Sequence, residues 1–204
     1  MIAIVDYGVG NLFSVEQSFH AIGADVIVTD DPQVLRRADK ILLPGVGAFG
    51  EAVEKLRSSG LGEAVMEQAK EGKPLLGICL GMQLLFDEGH EYGCHKGLGL
   101  ISGQIRPIRD VIPKDLKIPH MGWNALDITR QSRLFRYIKE GDCVYFVHSY
   151  YAANCTDATI ATAQYGTPLT AAVEKGNVFG CQFHPEKSGS VGLAILRAFS
   201  EMEA

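Results

Sequence analysis

Short apolar runs alternate with amphipathic segments along the first half of the chain, and this alternation is the strongest constraint on its fold. Apolar runs bounded by glycine or polar residues predict buried strands at 2–5, 26–28, 41–43 and 75–79. Apolar residues at helical spacing predict a helix from Leu12 to Ile22 that stops at Gly23, two helical pieces broken at 58–60, and a helix that begins at Met82. Strands that alternate with helices favour a parallel sheet covered on both faces.

Beyond residue 97 the pattern changes to apolar segments that follow one another with turns between them. These segments lie around Ile105 and at 144–147, 159–163, 170–173 and 178–183, and they predict an antiparallel extension of the same sheet. A closing helix fits 191–202, with Ser188 or Ser190 as its cap. We therefore expect residues 1–204 to form a single α/β domain, with a central mixed, mostly parallel sheet, flanking helices and an antiparallel extension.

Composition and charge exclude several functional classes. Of the 204 residues, 47% are hydrophobic and 21% are charged, which is an ordinary globular balance and excludes intrinsic disorder. A net charge of −5 gives no overall attraction to nucleic acid or anionic lipid. The five cysteines form no CxxC pair, and we find no signal peptide and no apolar run long enough to span a bilayer. We expect a cytoplasmic protein with free thiols.

The most informative segment is Gly77-Ile78-Cys79-Leu80-Gly81, which has the form G-x-C-x-G between a predicted strand and a predicted helix. This is the cysteine version of a nucleophile elbow, in which a reactive side chain sits on a tight strand-to-helix turn. The flanking glycines leave room for the doubled-back backbone, and the helix N-terminus favours a thiolate at Cys79. The alternative is that Cys79 is a buried core cysteine, the usual fate of an unpaired thiol.

A second candidate group is Phe183-His184-Pro185-Glu186, after the last predicted strand. Residues two apart in an extended segment point the same way, so Glu186 is placed to orient the imidazole of His184. Alone, this motif is weak evidence for a catalytic role, because a histidine at a strand end is more often an ordinary surface residue. His148 and His20 are lower-ranked candidate bases, since we assign neither of them a carboxylate nearby in sequence.

The glycine-rich segment 44–50, PGVGAFG, satisfies the dinucleotide-binding pattern G-x-G-x-x-G in full. A dinucleotide site also needs an acidic residue at the end of the following strand, and that strand ends at Cys79 instead. The segment is better suited to supply backbone N–H groups to an oxyanion hole. A nucleotide-binding module stays open as an alternative function.

A metal site is the last candidate, through His90, Cys94 and His95 in a loop flanked by glycines. These residues lack a fourth ligand at a familiar zinc spacing, so we interpret the loop as solvated and polar. We expect neither a metal nor a cofactor.

An elbow cysteine, a distant histidine with its glutamate, and a donor loop together indicate acyl transfer through a thioester. In these motifs the sequence resembles the class I (triad) glutamine amidotransferases: PGVGAFG at 44–50, GICLGMQLLF at 77–86 and FHPEKS at 183–188. Two features resemble the histidine-biosynthesis branch of that family, the glutaminase subunits of imidazole glycerol phosphate synthase. They are PHMGWN at 119–124 and Met82 within the elbow helix.

The resemblance implies a role for each matching residue. Cys79 would be the nucleophile, His184 the base and then the acid, and Glu186 the orienting carboxylate. The oxyanion would be held by the N–H of Leu80 and by a donor near Val46 or Gly47. The residues around the bound glutamine would include Gly47, Gln83, Ser149 and Tyr150.

The resemblance also implies a partner. Ammonia released from glutamine would pass to a (β/α)8 cyclase subunit, which forms a heterodimer with the glutaminase in this branch. Trp123, Tyr145 and Lys187 would lie at that interface, although a core tryptophan is an equally ordinary interpretation of Trp123. A stand-alone cysteine hydrolase or peptidase of related fold remains the alternative function.

Overall fold

A computed structural model describes residues 1–203. Its helices are α1 (Leu12–Ala21), α2 (Pro32–Arg37), α3 (Phe49–Ser58), α4 (Leu61–Lys70), α5 (Leu80–Leu84) and α6 (Gly189–Ser200). Its strands in the first half are β1 (Ile2–Val5), β2 (Val26–Thr29), β3 (Lys40–Leu43), β4 (Leu75–Ile78), β5 (Phe86–Gly89) and β6 (His95–Lys96). The later strands are β7 (Ile101–Pro107), β8 (His120–Ala125), β9 (Asp127–Ile128), β10 (Cys143–His148), β11 (Tyr150–Ala153), β12 (Thr159–Gln164), β13 (Pro168–Lys175) and β14 (Val178–Cys181).

The main sheet has eight strands in the order β2-β1-β3-β4-β14-β13-β12-β9. The first five strands in this order, β2-β1-β3-β4-β14, pair parallel with one another. The remaining three pairs, β14-β13, β13-β12 and β12-β9, are antiparallel. β14 is the junction, because it pairs parallel with β4 and antiparallel with β13. The expected α/β class, with a mostly parallel sheet and an antiparallel extension, is confirmed.

Two of the segments assigned to that extension lie elsewhere. Ile105 lies on β7, which belongs to a separate four-stranded sheet of order β11-β7-β5-β6. Residues 144–147 lie on β10, which pairs only with β8 in a two-stranded sheet. The prediction was wrong here because an apolar run signals a strand but does not specify its distant partner.

Helices cover both faces of the main sheet. On β1, Ala3 and Val5 point into a core with residues of α3 and α4, and Ile2 and Ile4 point into a second core with residues of α1 and α6. This alternation between two buried faces explains why the sequence of β1 is a continuous apolar run. In residues 1–203, no helix has the length and apolar character needed to cross a lipid bilayer.

Local signals explain most helix boundaries. The break between α3 and α4 falls at Gly60, as predicted, and this glycine has a φ of 72°. The helix α2 was missed, although Asp31 caps it and Pro32 occupies its first turn. Ser188 is the N-cap residue of α6, but its hydroxyl does not cap the helix; it donates to the carbonyl oxygen of His184 instead.

The parallel strands place four chain segments at one edge of the sheet. Tyr7 follows β1, Pro44 follows β3, Cys79 follows β4, and residues 182–184 follow β14. Because all four strands run in the same direction, their carboxyl ends meet at this edge, which is where open α/β sheets bind their ligands.

Candidate active site

Cys79 occupies a strained turn between β4 and α5. Its φ of 53° and ψ of −111° place a non-glycine residue in a rarely populated region. A Cβ on Gly77 would lie 2.7 Å from Met82 atoms, and one on Gly81 would collide with the carbonyl group of Leu43. The geometry therefore needs both flanking glycines, which is the arrangement expected of a nucleophile elbow.

His184 lies beside this cysteine and is paired with Glu186. His184 Nδ1 is 2.7 Å from Glu186 Oε1, and the two side chains are only 4% and 2% exposed. Burial alone would lower the pKa of His184, but its interactions with Cys79 and Glu186 outweigh this effect and raise the pKa to about 9. A protonated imidazole held between a carboxylate and a sulfur is the arrangement that favours a reactive thiolate.

The backbone conformation that pairs His184 with Glu186 is not the extended one that the sequence predicted. The strand β14 ends at Cys181, and Pro185–Lys187 form a turn of 3-10 helix. The prediction of an extended segment was wrong, because proline at the first position of a helical turn favours the helical conformation. The turn still brings the two side chains together.

A cavity of about 340 Å³ opens over Cys79. It is lined by Val46, Gly47, Cys79, Leu80, Gln83, Glu91, Pro119, Val147, His148, Ser149, Tyr150, His184 and Lys187. The structure thus gathers the candidate nucleophile, the candidate base and all the residues assigned to the glutamine and the oxyanion. Glu186 lies behind His184, while Trp123 and Tyr145 lie outside the cavity.

The glycine-rich loop after β3 packs directly against the elbow. A Cβ on Gly45 would lie 2.7 Å from Tyr7 Oη and 2.9 Å from the Gly81 nitrogen, so only glycine fits there. Tyr7 Oη donates to the carbonyl oxygen of Pro44 at 2.8 Å, and this bond anchors the start of the loop. Gly47 has a φ of 99° beside the cavity. These contacts support the oxyanion-loop interpretation over the dinucleotide-binding one.

The lower-ranked bases lie in unsuitable environments. His148 lines the cavity, but its Nδ1 faces the Tyr150 carbonyl oxygen at 2.8 Å and its Nε2 faces His120 Nδ1 at 2.9 Å. Burial lowers the pKa of His148 to about 3, so it is neutral and fully bonded at pH 7. His20 lies on the exposed face of α1, away from the cavity, and the expectation that it lacks a nearby carboxylate was wrong, because Glu16 Oε1 lies 4.0 Å from its Nε2 one helical turn away.

Sequence reasoning missed two residues at the site. Glu91 lines the cavity, and its Oε2 accepts a hydrogen bond from the Phe49 nitrogen at 2.7 Å, at the start of α3. Gln182 is fully buried, and its Nε2 lies 3.8 Å from Cys79 Sγ. The signal for Gln182 was a polar residue at the end of an otherwise apolar run, immediately before the Phe183-His184 motif.

The polar loop contains one group of potential metal ligands. Ligand atoms of Glu88, His90 and Cys94 lie within 4.8 Å of one another, and His95 is not part of this group. His90 Nε2 and Gln104 Nε2 each lie 2.8 Å from Glu88 Oε1, so the carboxylate is already satisfied by protein donors. The absence of a metal remains a prediction.

Comparison with known proteins decides the family. The sequence model described as Glutamine amidotransferase class-I matches residues 3–201. The chain belongs to this family. Three solved structures show the same fold over almost all of this chain, each at 17% sequence identity. They are a glutamine amidotransferase (TM-score 0.75, covering 98% of this chain and 97% of that chain), a glutamine amidotransferase from Thermotoga maritima (TM-score 0.64, 97% and 81%) and the glutaminase domain of Trypanosoma brucei CTPS with bound acivicin (TM-score 0.68, 100% and 94%).

Curated relatives resemble this amidotransferase over its whole length. The imidazole glycerol phosphate synthase subunit HisH of Methanothermobacter thermautotrophicus is 51% identical, with 99% of this chain and 98% of the relative covered. The proteins of the same name from Bacillus licheniformis and Syntrophotalea carbinolica are 50% and 48% identical, with at least 96% of each chain covered. The branch resemblance seen in the motifs therefore extends to the full sequence.

Proposed function

We propose that this amidotransferase is the glutaminase subunit of imidazole glycerol phosphate synthase, with a role in histidine biosynthesis. Family membership and identity near 50% to HisH proteins over the full length support the assignment. The observation that carries the chemistry is that Cys79 and His184 line one cavity and that buried Glu186 is bonded to His184 from behind.

The reaction begins with the Cys79 thiolate, which attacks the side-chain amide carbon of glutamine. Protonated His184 gives its proton to the leaving nitrogen, so ammonia departs and a glutamyl thioester remains on Cys79. Neutral His184 then takes a proton from water, and the resulting attack on the thioester releases glutamate. Glu186 holds the imidazole in one tautomer through its bond to Nδ1.

The tetrahedral intermediates carry negative charge on the former amide oxygen. Leu80 begins α5 directly after Cys79, so its backbone N–H group has no partner within the helix and is available as a donor at the elbow. The loop at Val46 and Gly47 lines the same cavity and supplies the second donor after a peptide rearrangement. One such donor contributes about 2.7–4 kcal/mol of transition-state stabilisation. Gln83, Ser149 and Tyr150 line the same cavity, and we propose that they surround the bound glutamine.

The released ammonia needs an acceptor, because in neutral water it is mostly protonated and no longer a nucleophile. The face of β8 and β10 beside the cavity is suited to a partner protein. Met121 and Trp123 are 60% and 58% exposed, and Tyr145 pairs with Trp123 across the strands. Lys187 lines the cavity mouth next to this face. We propose that a (β/α)8 cyclase subunit covers this surface in a heterodimer and receives ammonia.

Labelling with diazo-oxo-norleucine, a glutamine-like electrophile, tests the nucleophile and the substrate class together. We expect one adduct, on Cys79, by peptide mass spectrometry, and protection by glutamine. Labelling that falls on another cysteine, or that glutamine does not reduce, would contradict the proposal.

Cys79→Ser tests the coupling to a partner. This variant should lower glutamine-dependent synthesis at least about 10³-fold, while added ammonia still supports synthesis in the complex with the cyclase. Cys155→Ser, at another buried cysteine, is the control for loss of a thiol. The proposed coupling is wrong if the isolated wild-type glutaminase hydrolyses glutamine at full rate without the cyclase.

A further inference from the structure

Gln182 is a buried amide in contact with the candidate nucleophile. It follows β14 directly, and it is 0% exposed. Its backbone nitrogen donates to the Ala171 carbonyl oxygen at 2.8 Å, so the residue is fixed to the main sheet. Its side chain contacts two polar groups, the Cys79 sulfur at 3.8 Å and the Gln83 amide at 2.9 Å.

The orientation of this amide follows from its neighbours. The carbonyl oxygen of Tyr150 can only accept, so the group of Gln83 that lies 3.3 Å from it must be the NH2 group, Nε2. The same nitrogen lies 2.9 Å from Gln182, so the Gln182 atom that faces it must be the oxygen. The NH2 group of Gln182 is therefore turned toward Cys79.

A second contact holds the Tyr150 carbonyl group, which determines the orientation of the two amides. His148 Nδ1 lies 2.8 Å from the same Tyr150 oxygen and donates to it. The Tyr150 oxygen thus accepts from both His148 and Gln83, which occupies its two lone pairs. The orientations of the Gln83 and Gln182 side-chain amides are therefore fixed by the Tyr150 backbone and by buried side chains, before any substrate enters.

We propose that Gln182 is a further catalytic residue, which donates a hydrogen bond from Nε2 to the Cys79 thiolate, and that Gln83 is the positioning residue that holds its amide in this orientation. The inference rests on the proposed role of Cys79 as nucleophile. Hydrogen bonds to an ionised acceptor are stronger than those to a neutral one. Gln182 therefore stabilises the thiolate more than the thiol or the thioester.

The need for such a donor follows from the local structure. α5 has only five residues, so few aligned peptide dipoles act on the sulfur. His184 supplies charge from one side, and Gln182 supplies an N–H group whose proton is not transferred. The sulfur then has one partner that takes part in proton transfer and a second partner that remains a donor throughout the cycle.

The test measures thiolate reactivity without glutamine. The rate of Cys79 alkylation by iodoacetamide is followed against pH in a Cys94→Ser/Cys143→Ser background, which removes the two exposed cysteines. Gln182→Met replaces the amide with an apolar side chain of similar length. Gln68→Met removes a buried amide that bonds to Glu71 in another part of the molecule, and it serves as the matched control.

We expect Gln182→Met to raise the pH midpoint of alkylation by about one unit, which is an approximately tenfold loss of thiolate at a pH below the midpoint. Gln68→Met should leave the midpoint unchanged. Because Gln182→Met leaves one N–H of Gln83 without its acceptor, the double variant Gln83→Met/Gln182→Met provides a second test in which no half-satisfied amide remains. It should show the same shift.

The outcomes separate this inference from the proposed function. If folded Gln182 variants, judged by circular dichroism, keep the wild-type midpoint, then the amide only fills space and the inference is wrong. If wild-type Cys79 is alkylated no faster than an unstructured cysteine peptide and Cys79→Ser keeps glutaminase activity, then the proposed function itself fails. A shift in both Gln182 variants but not in Gln68→Met supports the hydrogen bond to the thiolate.

Discussion

His184 Nδ1 lies 2.7 Å from Glu186 Oε1 inside a site where both side chains are almost completely buried. The second carboxylate oxygen, Oε2, has no hydrogen-bond partner in the described residues, so the interaction of this carboxylate is directed at the imidazole. Burial opposes protonation of His184, and the contacts with Cys79 and Glu186 reverse that effect and hold its pKa near 9. The imidazolium form thus depends on these two neighbours.

Glu186→Gln removes the carboxylate charge while it keeps the shape of the side chain. We expect the pKa of His184 to fall and the glutaminase kcat to drop about 10²- to 10⁴-fold, because the imidazole loses both its charge partner and its fixed tautomer. NMR titration of the imidazole and steady-state kinetics measure the two effects. Glu88→Gln breaks a similar contact, with His90 at 2.8 Å, in the polar loop outside the cavity and should leave kcat unchanged.

Tyr7→Phe tests whether the oxyanion loop needs its anchor. The change removes the hydrogen bond from Tyr7 Oη to the Pro44 carbonyl oxygen. We expect kcat to fall roughly three- to tenfold and the free energy of unfolding to fall by about 0.5–1.5 kcal/mol. Tyr165→Phe breaks another bond from a tyrosine to a backbone carbonyl oxygen, the exposed one to Lys117 at 2.7 Å, and should leave kcat unchanged. Equal kcat values for the two variants would contradict a role for Tyr7 in the loop.

The local part of the site could be predicted from the sequence. The elbow at Cys79 depends on neighbouring glycines, and the requirement for Gly77 and Gly81 was evident from their spacing. The parallel half of the sheet could also be predicted, because each strand and helix there has a strong periodic signal. In these regions, contacts close in sequence determine the structure.

The remainder depended on contacts distant in sequence. The pairing of β10 with β8 joins segments about 20 residues apart, and the apolar pattern of residues 144–147 fits equally well in any sheet. Gln182 was counted as part of an apolar run, and only the structure places it against Cys79, 103 positions away. A polar residue inside an apolar run has no assigned partner until the fold supplies one.

Trp123→Ala tests the partner surface. The tryptophan is 58% exposed on β8, so the alternative interpretation of Trp123 as a core residue is wrong. We expect the dissociation constant for the cyclase to rise at least about tenfold, because large aromatic residues dominate binding at interfaces. Calorimetry with the purified cyclase measures this. Tyr137→Ala, at a 40% exposed aromatic residue outside β8 and β10, should have no effect on binding.

His120→Phe tests the pH dependence of stability. His120 and His148 are buried and bonded to each other at 2.9 Å, and burial lowers their pKa values to about 4 and about 3, below the ordinary value of 6.5. Between pH 6.5 and about 4 the unfolded chain binds more protons than the folded one. Folding is therefore stabilised by these groups above pH 6.5, and this stabilisation is lost as the pH falls, by about 1.4 kcal/mol per pH unit for each histidine.

Phenylalanine fits the position, since the His120 ring already stacks on Phe146 and Tyr165 at centroid distances of 4.8 and 4.2 Å. We expect His120→Phe to remove about half of the acid-side slope in the free energy of unfolding, measured by urea denaturation at several pH values. His20→Phe, on the exposed face of α1, is the control for loss of an imidazole and should keep the wild-type slope. A His120→Phe curve that is parallel to the wild type down to pH 4 would mean that the buried histidine pair does not control the acid sensitivity of this fold.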